Sequence, residues 1–462
     1  MRTPVLKATA FGGTALLVLI LVCATMLEKL YGTPFALSNI YHSEWFIALW
    51  ALLAVSAMAY TLRASRRFTL IMLHASFVVI LLGAFLSFLT SQHGSILLAK
   101  EAVPASMFTA DNGKLEKLPF SLQLADIDTI YRNNNTLPCD YKASVIVNNR
   151  KESQELTVSL NNPIKREGYS LCIKGVQEGH LSLLVAHDSV GLYTSYIGYA
   201  MMFFSFIALL LDKQSMFCHL LRQLQPTLKT KKGKENIQRS VFAGKLGQML
   251  AIPFIMLCFA WYKRGMFPVT NGAESLFLLA FAMTMLAVFF KMKKIRRTLI
   301  IVACLLAFAA SFCFEWNSSV QPILRSPLLG IHVTTIIIAY ALICCTAINA
   351  IIALLCKNEE RMKSLALVGH ALLYPATILL ATGIFIGAIW ANISWGRYWG
   401  WDPKEVWALA TLLVCSFTFH THSLPFMAKP RFFHIYCIAI ALMMLFTYLG
   451  VSFLLGGMHS YM

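Results

Sequence analysis

The sequence predicts an α-helical polytopic membrane protein of about eleven transmembrane helices, with one small extracytoplasmic antiparallel β-domain. Three observations predict it. Apolar residues come in blocks of about 20, the length that crosses a bilayer, in a chain of 462 residues that is 58% hydrophobic and 13% charged. One polar stretch of about 100 residues interrupts them and alternates apolar and polar positions, the period of a half-buried strand. Lysines and arginines gather in alternate loops, as in a chain threaded back and forth through lipid. Those loops account for the net charge of +18. Membrane lipid, not nucleic acid, is the expected partner of that charge.

The spans read as about 11–28, 44–62, 69–90, 192–211, 247–262, 275–290, 298–314, 328–356, 370–390, 403–421 and 433–455. The first has a long apolar core and no small-residue cleavage site after it, and Val22 rather than a small residue precedes Cys23. It reads as an uncleaved anchor. With the N-terminus in the cytoplasm, 23 of the 39 basic residues fall in inside loops, six in short outside loops and ten in the polar domain. The C-terminus is then outside. Four regions follow: a three-span bundle (1–90), the extracytoplasmic domain (91–191), a fourth span with a basic cytoplasmic linker (192–245), and a second membrane domain (246–462).

In residues 91–191 the alternation is clearest at Phe120-Leu122-Leu124, Tyr141-Ala143-Val145-Val147, Leu156-Val158-Leu160 and Tyr169-Leu171-Ile173. Asn148-Asn149 and Asn161-Asn162-Pro163 supply turns. Ten of the twelve cysteines lie in or beside apolar runs, and no C-x-x-C occurs. Thioredoxin-type and zinc patterns are therefore excluded. Cys139 and Cys172 are the two in the polar domain, and an oxidising compartment leaves a disulfide between them open. No tandem repeat is found.

The densest feature is W-G-R-Y-W-G-W-D-P-K-E-V-W-A-L at 395–409. Five of the nine tryptophans fall between Trp390 and Trp407, more than an interfacial belt requires. We read the segment as a flat aromatic platform at the membrane surface. An extended backbone would face Trp399 and Trp401 to the same side. Asp402, Pro403 and Glu405 have the pattern of an N-cap, N1 and N3 at the start of a helix.

Histidine is the ionisable residue that enters the spans, and such a residue at membrane depth is a functional suspect. The topology sorts the twelve histidines into two layers. His74 and His420 lie near the inner end, where His370, His422, His434 and His219 compete with them. His332 and His459 lie near the outer end, where the competitors are His42, His93, His180 and His187. A pair of neutral imidazoles across a gap suits a six-coordinate haem iron. A single histidine at a helix end is more often merely interfacial, and depth alone does not choose among these candidates.

The tryptophan-rich segment closely resembles the "WWD" signature of haem-handling proteins of cytochrome c biogenesis. F-H-T-H at 419–422, S-P-L-L-G-I-H at 326–332, L-L-G-G-M-H-S-Y at 454–461 and F-P-V-T-N-G-A-E-S at 267–275 extend the match. Residues 245–462 thus resemble the CcsA (ResC) family of the system II pathway. The first 215 residues resemble its partner, CcsB (ResB), with L-H-A-S at 73–76 at the membrane histidine. The whole resembles a CcsBA-type fusion. The resemblance implies haem b held by His74 and His420 within the membrane. It implies a second site at His332 and His459, against Trp395, Trp399, Trp401 and Asp402. It further implies a holocytochrome c synthase of the haem lyase type in the bacterial inner membrane. Such an enzyme attaches haem through thioether bonds to an apocytochrome c bearing Cys-x-x-Cys-His, with thiol-reducing thioredoxin-like proteins as partners. The chain has no C-x-x-C-H of its own and is not itself a c-type cytochrome. The alternatives are a di-haem membrane cytochrome b in quinol-linked electron transfer and a small-molecule transporter with structural histidines.

Overall fold

The computed structural model describes residues 3–457 except 66, 132–137, 139, 150–151, 178, 229–253, 256, 260, 263–266, 291 and 313–321. Three helices come first: α1 (Thr3–Tyr31), α2 (Glu44–Ala64) and α3 (Phe68–Thr90). Among the described residues eight strands follow, with β1 (Gln92–Ala99), β2 (Ala105–Ala110), β3 (Leu115–Ile130), β4 (Asp140–Asn148), β5 (Ser153–Ser159), β6 (Ile164–Arg166), β7 (Tyr169–Gln177) and β8 (His180–His187), and then α4 (Val190–Leu211) and α5 (Met216–Leu228). The second half holds α6 (Gly272–Phe289), α7 (Lys293–Phe312), α8 (Pro327–Leu354), α9 (Glu359–Trp395), α10 (Pro403–Phe417) and α11 (Pro430–Leu445), the last running on as a π-helix over Phe446–Leu455. Among the described residues nine helices are long and apolar enough to cross a membrane. The protein is a polytopic helical membrane protein with one antiparallel β-domain.

Helices α3 and α4 enclose the β-domain in sequence and meet backbone to backbone. A Cβ at Gly83 would lie 2.5 Å from the Ser195 nitrogen, and Gly191 meets Ser87 as closely. Small residues allow such an approach where lipid gives no hydrophobic drive for helix pairing. The sheet between them runs β5-β4-β3-β2-β1-β8-β7-β6, all antiparallel. β3 (Leu115–Ile130) bends where its register with β4 (Asp140–Asn148) shifts, between Leu124 and Asp126. The edge strands β5 (Ser153–Ser159) and β6 (Ile164–Arg166) are joined by the Asn161-Asn162-Pro163 turn. Alternate residues from all along the sheet, Leu122, Val145, Val158, Leu171 and Leu183 among them, close one buried core. The inward set is the alternating set read from the sequence.

In the second half α8 is central: 72% of its apolar window is buried, against 11% for α3. α9 has 37 residues, about 55 Å of helix, where a span over about 370–390 was expected. The excess carries Trp390 and Trp395 beyond a hydrocarbon core of about 30 Å and up to the β-domain. There the Cys172 thiol donates to the Ile393 carbonyl at 3.5 Å and Ser394 Oγ donates to Asn161 Oδ1 at 3.2 Å.

Two expectations change. The tenth span, read as 403–421, is a helix of only 15 residues, about 22 Å. It stops at Phe417 because Thr418, Phe419 and His420 tighten into short-range turns on Cys415, Ser416 and Phe417. His420 therefore lies just past the helix, not in its last turn. The basic segment 213–245 is not all linker, since Met216–Leu228 is helical. Its Phe217 ring packs on Tyr374 of α9 at 5.3 Å. The fifth span, 247–262, falls largely outside the described residues, as do 229–245. Cys172 is a free, buried thiol, and Cys139 lies outside the described residues.

Candidate functional site

Two histidine-bearing sites lie at opposite ends of the bundle. At the end away from the β-domain, α3 contributes His74 and the turn after α10 contributes His420. Their ring centres are 6.3 Å apart and their planes are at 87°. Each Nδ1 meets the carbonyl four residues back, Leu70 O at 2.8 Å and Ser416 O at 2.9 Å. A carbonyl only accepts, so both Nδ1 atoms carry the proton and both Nε2 atoms carry the lone pair. That tautomer is the ligating one, fixed by a backbone partner as metal-binding histidines usually are. Two imidazoles on one metal, each at about 2 Å with about 1 Å more to the ring centre, need roughly 6 Å between centres. The observed separation meets that requirement. Phe11 of α1, at 5.1 Å from the His420 ring, forms part of the surrounding wall.

The competitors at this end are placed elsewhere. His370 stacks on Phe433 at 3.9 Å inside the second-half bundle. His434 Nε2 donates to the Met362 carbonyl at 3.1 Å. His219 and His422 are exposed.

At the β-domain end His332 sits in the second turn of α8. Its ring lies on α9, where a Cβ at Gly387 would be 2.6 Å from His332 Cε1. Its Nδ1 donates to Gly383 O at 2.7 Å, again leaving the lone pair on Nε2. Gly387 leaves room for the His332 ring, and Gly383, one turn back, offers that ring its carbonyl and leaves room for Ile336, whose Cδ1 would be 2.6 Å from a Cβ there. The sequence signal was present in G-I-F-I-G at 383–387, a small-x-x-x-small spacing in an apolar helix, and the reading of motifs passed over it.

His332 faces a cavity of about 1330 Å³, counting its open mouth. Trp399, Trp390, Tyr398, Lys404 and Glu405 also line it. The indole nitrogens of Trp390 and Trp399 are buried and meet no hydrogen-bond partner among the described residues. A flat, largely apolar ligand that brings acceptor atoms fits these walls.

The tryptophans do not form one flat shelf. Trp399 and Trp401 stand at 89° to each other, because Trp401 takes a left-handed backbone with φ of +58°. That conformation costs a bulky residue on the order of 1–3 kcal/mol. It turns the Trp401 ring onto Tyr41 of the first half, stacked at 4.6 Å and 8°, a contact worth about 0.5–1.5 kcal/mol beyond burial. Trp395 packs edge-on against Trp390 at 4.8 Å. Asp402 is 5% exposed and forms the expected capping box with Glu405, with Pro403 in the first turn. Thus His332 and Trp399 face the cavity, whereas Trp395, Trp401 and Asp402 stand behind its wall.

His459 lies outside the described residues. The described chain ends at Gly457, where a Cβ would be 2.5 Å from Asp402 Oδ2. Gly457 therefore lies beside the start of α10.

The first half grips the tryptophan loop from several sides. Arg397 pairs with Asp111 of the β-domain at 3.0 Å. Ser195 donates to the Tyr398 hydroxyl at 3.1 Å, that hydroxyl donates to Ser87 at 3.1 Å, and Ser87 donates to Asp188. Beside this loop burial, and then the Arg397 charge, push His93 down to about 4, with Asp111 and Asp188 opposing. The same two causes lower His42. His180 is exposed, and His187 Nδ1 donates to Gly168 O at 2.9 Å within the β-domain.

Comparison with known proteins divides the chain in the same way. Residues 269–459 match the Cytochrome C assembly protein family and residues 61–194 the ResB-like family. The cytochrome c biogenesis protein CcsA of Chlamydomonas reinhardtii is 33% identical over 227 residues, covering 45% of this chain and 64% of that protein. A CcsA of Prochlorococcus marinus is 29% identical over 272 residues, covering 49% of this chain and 85% of that protein. Protein NrfI of Wolinella succinogenes is 28% identical over 234 residues, 46% of this chain and 25% of that protein. The chain thus spans less than two thirds of the Chlamydomonas protein and a quarter of NrfI.

Proposed function

We propose, from a chain that joins a ResB-like segment to a cytochrome c assembly segment and so has the make-up of a ResB–ResC fusion, that this protein acts in cytochrome c maturation. In this reading it is a holocytochrome c synthase of the haem lyase type in the bacterial inner membrane, with its N-terminus in the cytoplasm and its tryptophan loop and C-terminus outside. Haem b is its cargo and substrate. His74 and His420 hold the iron inside the membrane. His332 and His459 hold it at the outer cavity, with Trp399 against the macrocycle and Trp395, Trp401 and Asp402 fixing the shape of the wall.

The apocytochrome brings Cys-x-x-Cys-His. Each cysteine S–H adds across one haem vinyl group, forming one C–S and one C–H bond, so no electrons are gained or lost. The substrate thiols must arrive reduced, which calls for a thioredoxin-like thiol-reducing partner. The substrate histidine then replaces one outer imidazole on the iron and the product leaves. The protein supplies orientation, iron ligation and exclusion of water rather than a nucleophile.

The observation that carries this reading is the His74–His420 pair, 6.3 Å apart, each with Nδ1 tied to a carbonyl. The test is co-expression with an apocytochrome bearing Cys-x-x-Cys-His, followed by assay of covalent haem on that substrate. Attachment that depends on His332 and His459 supports the reading. Stable quinol-linked redox cycling without any covalent product would replace it with a di-haem cytochrome b.

A further inference from the structure

A second cavity of about 470 Å³, counting its mouth, adjoins the first and shares Val269, Thr270, Leu324 and Leu329 with it. It is lined by Arg325 and Ser326, just ahead of α8. Arg325 Nε is buried and meets no hydrogen-bond partner among the described residues. No carboxylate among the described residues lies within ion-pair distance of the guanidinium. An unmatched buried donor costs about 1–3 kcal/mol, more when it is charged. Trp390, 1% exposed, packs with Leu324 and Leu329 on the shared wall, and its Nε1 is likewise unmatched. The unmatched atoms bordering the two cavities, Arg325 Nε, Trp390 Nε1 and Trp399 Nε1, are all N–H donors. Their complement is a ligand that carries acceptors, and anionic ones beside Arg325.

The cation that lines the main cavity, Lys404, is already engaged. Its Nζ donates to Ser452 at 3.0 Å, and the neighbouring Asp402 carboxylate acts on its charge. Arg325 closes the 3-10 turn Pro322–Arg325 just ahead of α8, whose second turn carries His332, and its cavity adjoins the one that His332 lines. A macrocycle whose iron met His332 would thus have one edge directed toward Arg325. In haem the two carboxylates share one edge and the two vinyl groups lie toward the opposite one.

Resting on the haem reading above, we propose that the cavity beside Arg325 is a carboxylate subsite. Arg325, with the Trp390 indole N–H, holds a haem propionate and so sets which way the vinyl edge points. A planar guanidinium suits a carboxylate because its N–H groups match two oxygens at once.

The experiment uses full-length protein in a His74→Ala background, so that the cavity at the loop reports alone. Binding of haem and of haem dimethyl ester is followed by the Soret band, before and after Arg325→Gln, Arg325→Lys and Trp390→Phe. We expect the parent to favour the diacid by about tenfold or more. Arg325→Gln should lose that preference by weakening diacid binding alone, and Arg325→Lys should recover part of it. Unchanged diester binding shows that the variant is folded. An equal affinity of the parent for diacid and diester overturns the proposal whatever the variants do, as does the same preference in Arg325→Gln as in the parent. Absence of any His332-dependent low-spin spectrum would instead count against the haem reading itself, so the two failures are distinguishable.

Discussion

Gly387→Ala is the sharpest perturbation of the outer site, because it adds one methyl group directly under the His332 ring. The new Cβ would lie 2.6 Å from His332 Cε1 and 2.7 Å from Nδ1. Ordinary carbon contact begins near 3.5 Å, so the ring must retreat by roughly 0.8 Å. That retreat stretches the Nδ1–Gly383 bond from 2.7 Å to about 3.5 Å, the limit at which it counts as a hydrogen bond. The lost bond is worth about 0.5–1.5 kcal/mol. The displaced Nε2 matters more, since a misplacement of about 1 Å can cost up to a hundredfold in a positioned reaction. Helix propensity works the other way: alanine in place of glycine favours α9 by about 1 kcal/mol. The expected outcome is a protein at least as resistant to heating, with outer-site haem binding and covalent attachment reduced tenfold or more and the His74–His420 site intact. The assay is haem spectroscopy and attachment yield on purified full-length protein, with a thermal melt as control. Attachment at the parental rate would refute the claim that the space left by Gly387 positions His332.

Three further outcomes are expected. Tyr398→Phe removes a hydroxyl shared by Ser195 and Ser87, which should destabilise the loop by about 1–2 kcal/mol, read as faster proteolysis within 395–402. His93 is held neutral by burial, its value lowered from 6.5 to about 4. Its contribution is therefore complete above pH 6.5 and is lost as pH falls toward 4, on the order of 2 kcal/mol after solvent screening. Thermal melts against pH should show that loss, and His93→Gln should flatten it. Burial pushes the Cys172 thiol up to about 11, so iodoacetamide at pH 7.5 should label it only after denaturation, by mass spectrometry of the peptide.

Periodicity made the spans and the strands legible because both report burial directly. The strand at Tyr141–Val147 and the helix at Phe68–Thr90 follow from spacing alone. The sequence left His74 and His420 as one choice among several; the fold brings those two rings to 6.3 Å, stacks His370 on Phe433 and sets His434 against Met362 O. Nothing local in F-H-T-H distinguishes those fates. The helix end at Phe417 was missed because Thr418 to His420 remain apolar enough to continue a span. Short-range hydrogen bonds, not hydropathy, decide where that helix stops. The left-handed Trp401 was illegible for a stronger reason. A tryptophan has no intrinsic preference for positive φ, so the conformation is imposed from outside the loop.

The source of that imposition is the other half of the chain. Tyr41 stacks on Trp401, Phe46 meets its edge at 5.6 Å, Thr25 accepts from the Trp407 indole at 3.0 Å, and Asp111 holds Arg397. Each of these partners belongs to the first half of the chain, while the residues they hold, in the tryptophan loop and the start of α10, belong to the second. A backbone strain of about 1–3 kcal/mol is comparable with the worth of two or three such contacts. The contacts from the first half are therefore large enough to offset the strain at Trp401. The loop's geometry is a property of the joined chain, and the outer cavity that Trp399 lines is completed by residues that never touch the cavity itself.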